Sequence, residues 1–99
     1  METPDPLTEE ELKRAVLDSI IARSFKYSCH LFDRISERNL SIHDVRHICQ
    51  NGKLIESTWN VERGHWRYEL RCKALDRIET SIVLAVIQER YCVLAITMF

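Results

Sequence analysis

The 99-residue chain reads as an α+β domain, with two to three N-terminal helices packed on a four-stranded, mostly antiparallel sheet. Three observations carry that expectation. Apolar residues recur every three or four positions up to about residue 50, which is the period of a helix with one buried face. From Lys53 onward the period falls to two, the alternation of a strand with one buried face. The chain then closes on two apolar runs, Ile82–Ile87 and Tyr91–Phe99, separated by Gln88-Glu89-Arg90. The first run has no polar face, is rich in β-branched residues and is too short to span a bilayer as a helix. The two runs are therefore expected to pair as a hairpin at the centre of the sheet.

Taken in order, residues 1–8 form a loose lead-in, with Pro4 and Pro6 holding it extended, and residues 9–99 form one domain. Thr8-Glu9-Glu10-Glu11 is a capping box that starts a helix running to about residue 24, with Leu12, Val16, Leu17, Ile20 and Ile21 as its apolar stripe. Phe25-Lys26-Tyr27 is a brief extended link. Ser28 caps a second helix, Cys29–Arg38, whose Leu31 and Ile35 face the core, and Asn39 ends it in a left-handed conformation. Ser41 and Asp44 open a third, short helix on Val45, Ile48 and Cys49, and Asn51-Gly52 closes it. Lys53–Trp59 reads as a strand, residues 60–64 turn the chain, and His65–Cys72 alternates strictly. In that strand Trp66, Tyr68, Leu70 and Cys72 point inward, while Arg67, Glu69 and Arg71 point outward. A loop from Ala74 to Glu79 leads into the closing hairpin.

Composition narrows the function. Lys and Arg total 14 against 15 Asp and Glu, a formal charge of -1, so bulk charge does not make this a nucleic-acid binder. Any cationic strip must come from arrangement. The N-terminus is acidic and polar, unlike a secretory signal, and no segment is long enough for a membrane helix, so the expected location is cytoplasmic and no membrane partner is expected. Cys29, Cys49, Cys72 and Cys92 are far apart and none forms a Cys-x-x-Cys pair, so they read as free core thiols.

Four groups of residues are candidates for chemistry. His30-x-x-x-Arg34-x-x-x-Arg38 stacks an imidazole and two guanidinium groups on one helical face, where a base and its charge-balancing cations could act on a phosphate ester. His43-x-x-x-His47 supplies two potential metal ligands one turn apart. Two do not make a site, and the expectation is no metal and no cofactor. Arg67 and Arg71 form an outward row on one strand, with Lys53, Arg63 and Lys73 nearby, suited to tracking a phosphate backbone. Finally, His65 begins that strand beside Gly64, Trp59 and Trp66 close one end of the core with Tyr68 behind them, and Thr97 could add a hydroxyl near the end of the last strand.

These residues also carry a likeness. Tyr27-Ser28-x-His30-x-x-x-Arg34-x-x-Glu37-Arg38, then Leu40-Ser41-x-x-Asp44-Val45, resembles the opening signature of a bacterial family catalogued as domain of unknown function 4258. Its later marks have counterparts in Asn51-Gly52 followed by a strand, in Gly64-His65-Trp66-Arg67-Tyr68, and in the closing Ile96-Thr97-Met98-Phe99. The likeness spans about residues 9 to 99 and departs at Cys29, at Phe32 and in the near-neutral charge of the chain. That family looks related to ribonuclease toxins of the RelE, ParE and MqsR kind, whose members often sit beside a zinc-finger antitoxin. The resemblance implies a RelE/ParE-like arrangement of helices on an antiparallel sheet, with a groove for RNA and for an antitoxin. It places His30, Arg34, Arg38, Trp66, Arg67, Tyr68 and Thr97 at characteristic positions.

Residues and resemblance together point to a toxin-like endoribonuclease that cleaves mRNA, free or on the ribosome, through its own 2'-hydroxyl without a metal. The expected catalytic set is His30, Arg34, Arg38 and Arg67, with His65 as a second choice of base. The expected RNA contacts are Lys53, Arg63, His65, Tyr68, Arg71, Lys73 and Thr97. An antitoxin-like protein is the expected partner, and a homodimer is expected if the last strand lies at a sheet edge. The competing expectation is a non-catalytic module that binds protein or RNA with the same surface.

Overall fold

The computed structural model describes residues 3–74, 76–87 and 92–99. Met1, Glu2, Leu75 and the linking Gln88-Glu89-Arg90-Tyr91 lie outside the described residues. The described elements are α1 (Glu9–Ile21), β1 (Phe25–Tyr27), α2 (Cys29–Glu37), α3 (Ile42–Asn51), β2 (Lys53–Asn60), β3 (His65–Lys73), β4 (Glu79–Ile87) and β5 (Cys92–Met98).

Local chemistry accounts for the helix limits. At the start of α1, Thr8 Oγ1 accepts from the Glu11 N–H at 3.2 Å and the Glu11 carboxylate accepts from the Thr8 N–H at 3.0 Å. The helix stops about one turn earlier than its apolar period suggests, because Arg23 turns left-handed at φ 60°. Ser28 Oγ accepts from the Leu31 N–H at 3.0 Å and opens α2, and Asn39 ends that turn at φ 54°. Gly52 closes α3 for a different reason from the one its sequence suggests. Its φ is -67°, but a Cβ there would meet the Ile48 carbonyl oxygen at 2.5 Å and the Arg71 N and Leu70 Cβ of β3 at 3.2 Å, so glycine is needed where the chain leaves the last turn of α3 close against β3.

The sheet has five strands in the order β1-β5-β4-β3-β2, and it is mixed rather than wholly antiparallel. The added strand is the Phe25–Tyr27 link, which runs parallel to β5 in the register Phe25↔Val93, Lys26↔Leu94, Tyr27↔Ala95. Three residues are too few to display a period, which is why the segment reads as a link. This addition moves β5 off the edge: it lies between β1 and β4, and the edges are β1 and β2. At the end of the β1 pairing two β5 carbonyls are also occupied, since Ala95 accepts from the Ser28 N–H at 3.0 Å and Ile96 accepts from the Ser28 hydroxyl. The closing hairpin does supply the middle strand, β4.

Directly paired residues point to the same face, so the registers sort the side chains. Tyr68 with Leu84, Leu70 with Ile82, and Ile82 with Met98 share one face, and all are buried. They form a single core with Leu12 and Val16 of α1, Leu31 and Ile35 of α2, and Val45, Ile48 and Cys49 of α3. The three helices therefore cover one face. The opposite face carries no helix among the described residues. Its rows run Thr58–Arg67–Ala85–Leu94–Lys26, Glu56–Glu69–Val83–Thr97 and Lys53–Arg71–Ser81. Two bulges, between Leu54 and Glu56 and opposite Val83/Leu84, interrupt the register on β2 and β5. No helix among the described residues is long and apolar enough to cross a membrane.

Candidate nucleotide-binding cleft

Placement of β3 decides which candidate residues meet. The pleat that buries Tyr68 and Leu70 turns His65, Arg67, Glu69 and Arg71 to the open face. His30, Arg34 and Arg38 instead ride on α2, in the helical layer behind the sheet. The structure thus separates the helical His/Arg line from Arg67 and Thr97, which share the open face.

Each member of the helical line has its own surroundings. His30 is exposed and its ring makes no hydrogen bond among the described residues. Arg34 is exposed and pairs with Glu37 at 3.5 Å, one turn along the same helix. Arg38 is half-buried and acts as a clasp. Its Nη1 donates to the buried Thr80 Oγ1 at 2.7 Å and its Nη2 to Asp76 Oδ2 at 3.4 Å, tying the end of α2 to the start of β4 and to the turn before it. The His43/His47 pair gathers no third ligand. His47 Nδ1 lies 3.4 Å from Asn51 Nδ2, and no group of three or more His, Cys, Asp or Glu side chains converges among the described residues.

The open-face cations divide in the same way. Arg71 is engaged twice, with Nη2 donating to Glu69 Oε2 at 2.8 Å and Nε to Ser81 Oγ at 2.8 Å. Lys53 and Lys73 are exposed near that end of the sheet, and Thr97 is half-buried beside Val83. Tyr68 turns away into the core, where its hydroxyl accepts from the Leu7 N–H at 3.0 Å and burial pushes its pKa up.

At the other end of β3 the candidates do converge. A cleft of about 650 Å³ is lined by Arg63, His65 and Arg67, the last two on the open face, together with Pro4, Trp59, Gly64, Trp66, Tyr68, Val86, Ile87, Leu94 and Ile96, of which Trp59, Trp66, Tyr68 and Val86 belong to the helical face. The tight β2–β3 turn sets it up. Gly64 donates to the Asn60 carbonyl at 2.9 Å with φ 69°, and the Arg63 N–H is held by Asn60 Oδ1 at 3.0 Å. The turn brings Arg63 next to His65. Trp59 and Trp66 pack edge to face with centroids 5.6 Å apart, and Trp66 Nε1 donates to the Pro4 carbonyl at 2.7 Å. The lead-in residues are thereby joined to the cleft wall at Pro4 and to the core at Leu7.

Two atoms in this cleft stand out. His65 Nε2 and Arg67 Nε are buried and neither has a hydrogen-bond partner among the described residues. Buried polar groups without partners are uncommon because each loses its water and gains nothing in return. Desolvation lowers the His65 pKa from 6.5, and the nearby Arg67 and Arg63 charges lower it further, so the ring is neutral at pH 7. A neutral imidazole beside two cations suits an anionic ligand and can accept a proton.

A second cleft, of about 850 Å³, lies along α1 and is walled by Glu10, Glu11 and Asp18 with Arg14. Its carboxylates disfavour a phosphate ligand. The thiols offer no alternative chemistry. All four are free, and burial pushes the Cys49 pKa up to about 12, which keeps that thiol neutral. Cys29 departs from the core reading, as it is exposed at the first turn of α2.

Trp59, Ile87, Leu94, Ile96 and Pro4 join the cleft without having been candidates for binding. Trp59 had a signal in its position opposite Trp66 across a short turn, whereas Pro4 had none. Comparisons with models of protein families, with curated proteins and with solved structures find no match for this chain.

Proposed function

We propose that this protein binds RNA on the open sheet face and cleaves it without a metal, with His65 as the base and Arg67 and Arg63 balancing the phosphate charge. The observation that carries the reading is the pair of buried, unpartnered atoms, His65 Nε2 and Arg67 Nε, in a cationic cleft. The 2'-oxygen attacks the adjacent phosphorus as its proton passes to His65 Nε2. The P–O5' bond breaks, leaving a 2',3'-cyclic phosphate, and water protonates the departing 5'-oxygen. Arg67 Nε donates to a non-bridging oxygen as charge builds there. His65 is preferred to His30 because it shares the cleft with two guanidinium groups. The likeness to the toxin families adds an antitoxin-like protein partner, for which the helix-free sheet face is the available surface.

The test is incubation of the purified chain with RNA, and with ribosomes carrying mRNA, both in excess EDTA. Cleavage that is lost in His65→Ala and kept in His30→Ala supports the assignment. Equal loss in His30→Ala and none in His65→Ala overturns it.

A second reading, a non-catalytic module for RNA or protein, is favoured by the lack of a second general acid in the cleft among the described residues. The Tyr68 hydroxyl is already held by Leu7, and no carboxylate of the described residues lines the cleft. RNA binding that requires Arg67, with no cleavage under any of these conditions, selects that reading. Sedimentation with and without the neighbouring gene product then reports the partner and any homodimer.

A further inference from the structure

Residues 3–8 belong to no helix or strand, yet the segment is seated on β3 at two points. The Pro4 carbonyl accepts from Trp66 Nε1 at 2.7 Å, and the Leu7 N–H donates to the Tyr68 hydroxyl at 3.0 Å. The Leu7 side chain packs against the core, while Thr3, Pro4, Asp5 and Pro6 are exposed. Trp66 and Tyr68 share the helical face of β3, and Trp59 is paired with Trp66 on that face. One side of one strand thus supplies an indole donor, a phenol acceptor and an apolar notch.

Together these contacts read a sequence. Proline has no N–H of its own and holds the backbone extended, so a proline segment offers its carbonyls outward with little conformational freedom to lose. Aromatic side chains are the usual walls for such segments. This seat takes the carbonyl of a first proline, then the N–H and side chain of an apolar residue three positions on. The chain's own match is Pro4-Asp5-Pro6-Leu7, in which the second proline stiffens the span between the two contacts. Both attachments are single hydrogen bonds to side chains rather than a sheet ladder, so the segment can leave without unpairing a strand.

We propose that the seat formed by Trp59, Trp66 and Tyr68 docks an extended Pro-x-Pro-Leu segment of another protein, with residues 4–7 of this chain as the resident occupant that it displaces. The resident identifies the chemistry of the partner, because it shows which backbone groups the seat bonds. The seat lies on the helical face, so the proposal does not depend on the RNA reading of the open face. Being tethered, the resident competes at a high effective concentration, and a free peptide therefore binds the wild-type chain weakly.

The test is the fluorescence anisotropy of a fluorescein-labelled Thr-Pro-Asp-Pro-Leu peptide titrated with the full chain, with labelled Thr-Gly-Asp-Gly-Leu as the control. Pro4→Gly/Pro6→Gly loosens the resident and leaves the seat intact, and it is expected to bind the proline peptide about tenfold more tightly than the wild type. Trp66→Phe in that background keeps a ring but loses the N–H, and is expected to weaken the peptide about three- to tenfold. Circular dichroism checks that each variant folds. Should the loosened chain not fold, the wild type decides, with saturable binding of the proline peptide expected at higher chain concentration. A glycine peptide that binds as well as the proline peptide overturns the proposal, as does the absence of saturable binding to every folded chain. RNA binding by a chain that ignores the peptide overturns the docking seat and leaves the RNA reading standing.

Discussion

The two faces of one sheet, built from the same strands, meet opposite demands. On the helical face, Tyr68, Leu70, Ile82 and Leu84 are buried with their partners from three helices, and the one titratable hydroxyl among them is hydrogen-bonded. On the open face, one residue away along β3, Arg67 Nε and His65 Nε2 are buried with no partner among the described residues. The first face follows the usual rules of a stable interior. The second breaks them at one end only, since Arg71 at the other end is satisfied by Glu69 and Ser81. The difference separates residues that hold the fold from residues held ready by it.

The sharpest contrast is between neighbours on β4. Leu84→Ala removes a fully buried side chain from the helical face, and denaturant titration is expected to show a loss of about 2–5 kcal/mol. Val83→Ala, on the open face and half-buried, is expected to cost about 1 kcal/mol or less. Equal costs break the comparison by showing that something covers both faces.

The arginines of α2 give a smaller contrast. Arg38→Ala strips a charged donor from the buried Thr80 hydroxyl and from Asp76, with an expected loss of about 1–2 kcal/mol. Arg34→Ala removes only an exposed pair with Glu37, and its expected effect is within about 0.5 kcal/mol. RNA cleavage that survives Arg38→Ala, measured below the melting temperature of the variant, marks Arg38 as a clasp rather than a catalytic group.

The smallest effect belongs to the acid limb. The folded pKa of His65 lies below its ordinary 6.5, so on acidification the unfolded chain takes up the proton first. This contribution to stability is therefore complete above pH 6.5 and is lost as the pH falls from there through the lowered folded pKa. His65→Gln is expected to flatten the pH dependence of unfolding in that window. A His65 resonance titrating at or above 6.5 contradicts the desolvated placement.

Much of the layout was legible because it depends on short-range pattern. The Thr8/Glu11 box, the Ser28 cap and the strict alternation from His65 to Cys72 each follow from a local period or side-chain geometry. That alternation alone put Arg67 and Arg71 outside and Tyr68 inside. Three features were not legible for physical reasons. The Phe25–Tyr27 strand is too short for periodicity and exists only through its parallel pairing with β5. Gly52 is required by contact with a neighbouring turn rather than by its backbone angle. The four-residue spacing of His30, Arg34 and Arg38 described their helix, but it could not say that α2 lies behind the sheet from Arg67. Nor could spacing tell Arg67 from Arg71. They are alike in sequence, and only the tertiary partners Glu69 and Ser81 separate them.

The central claim is that Arg67 is maintained for a ligand at the expense of the fold. The direct test is one variant, Arg67→Met, measured twice: by urea unfolding without ligand and by equilibrium binding to single-stranded RNA. Removing a half-buried cation whose buried Nε has no partner among the described residues is expected to leave stability unchanged or raise it by up to about 1 kcal/mol, while RNA affinity falls at least tenfold. A variant that loses stability by more than about 1 kcal/mol yet binds RNA as before contradicts the account, and would make Arg67 part of the scaffold.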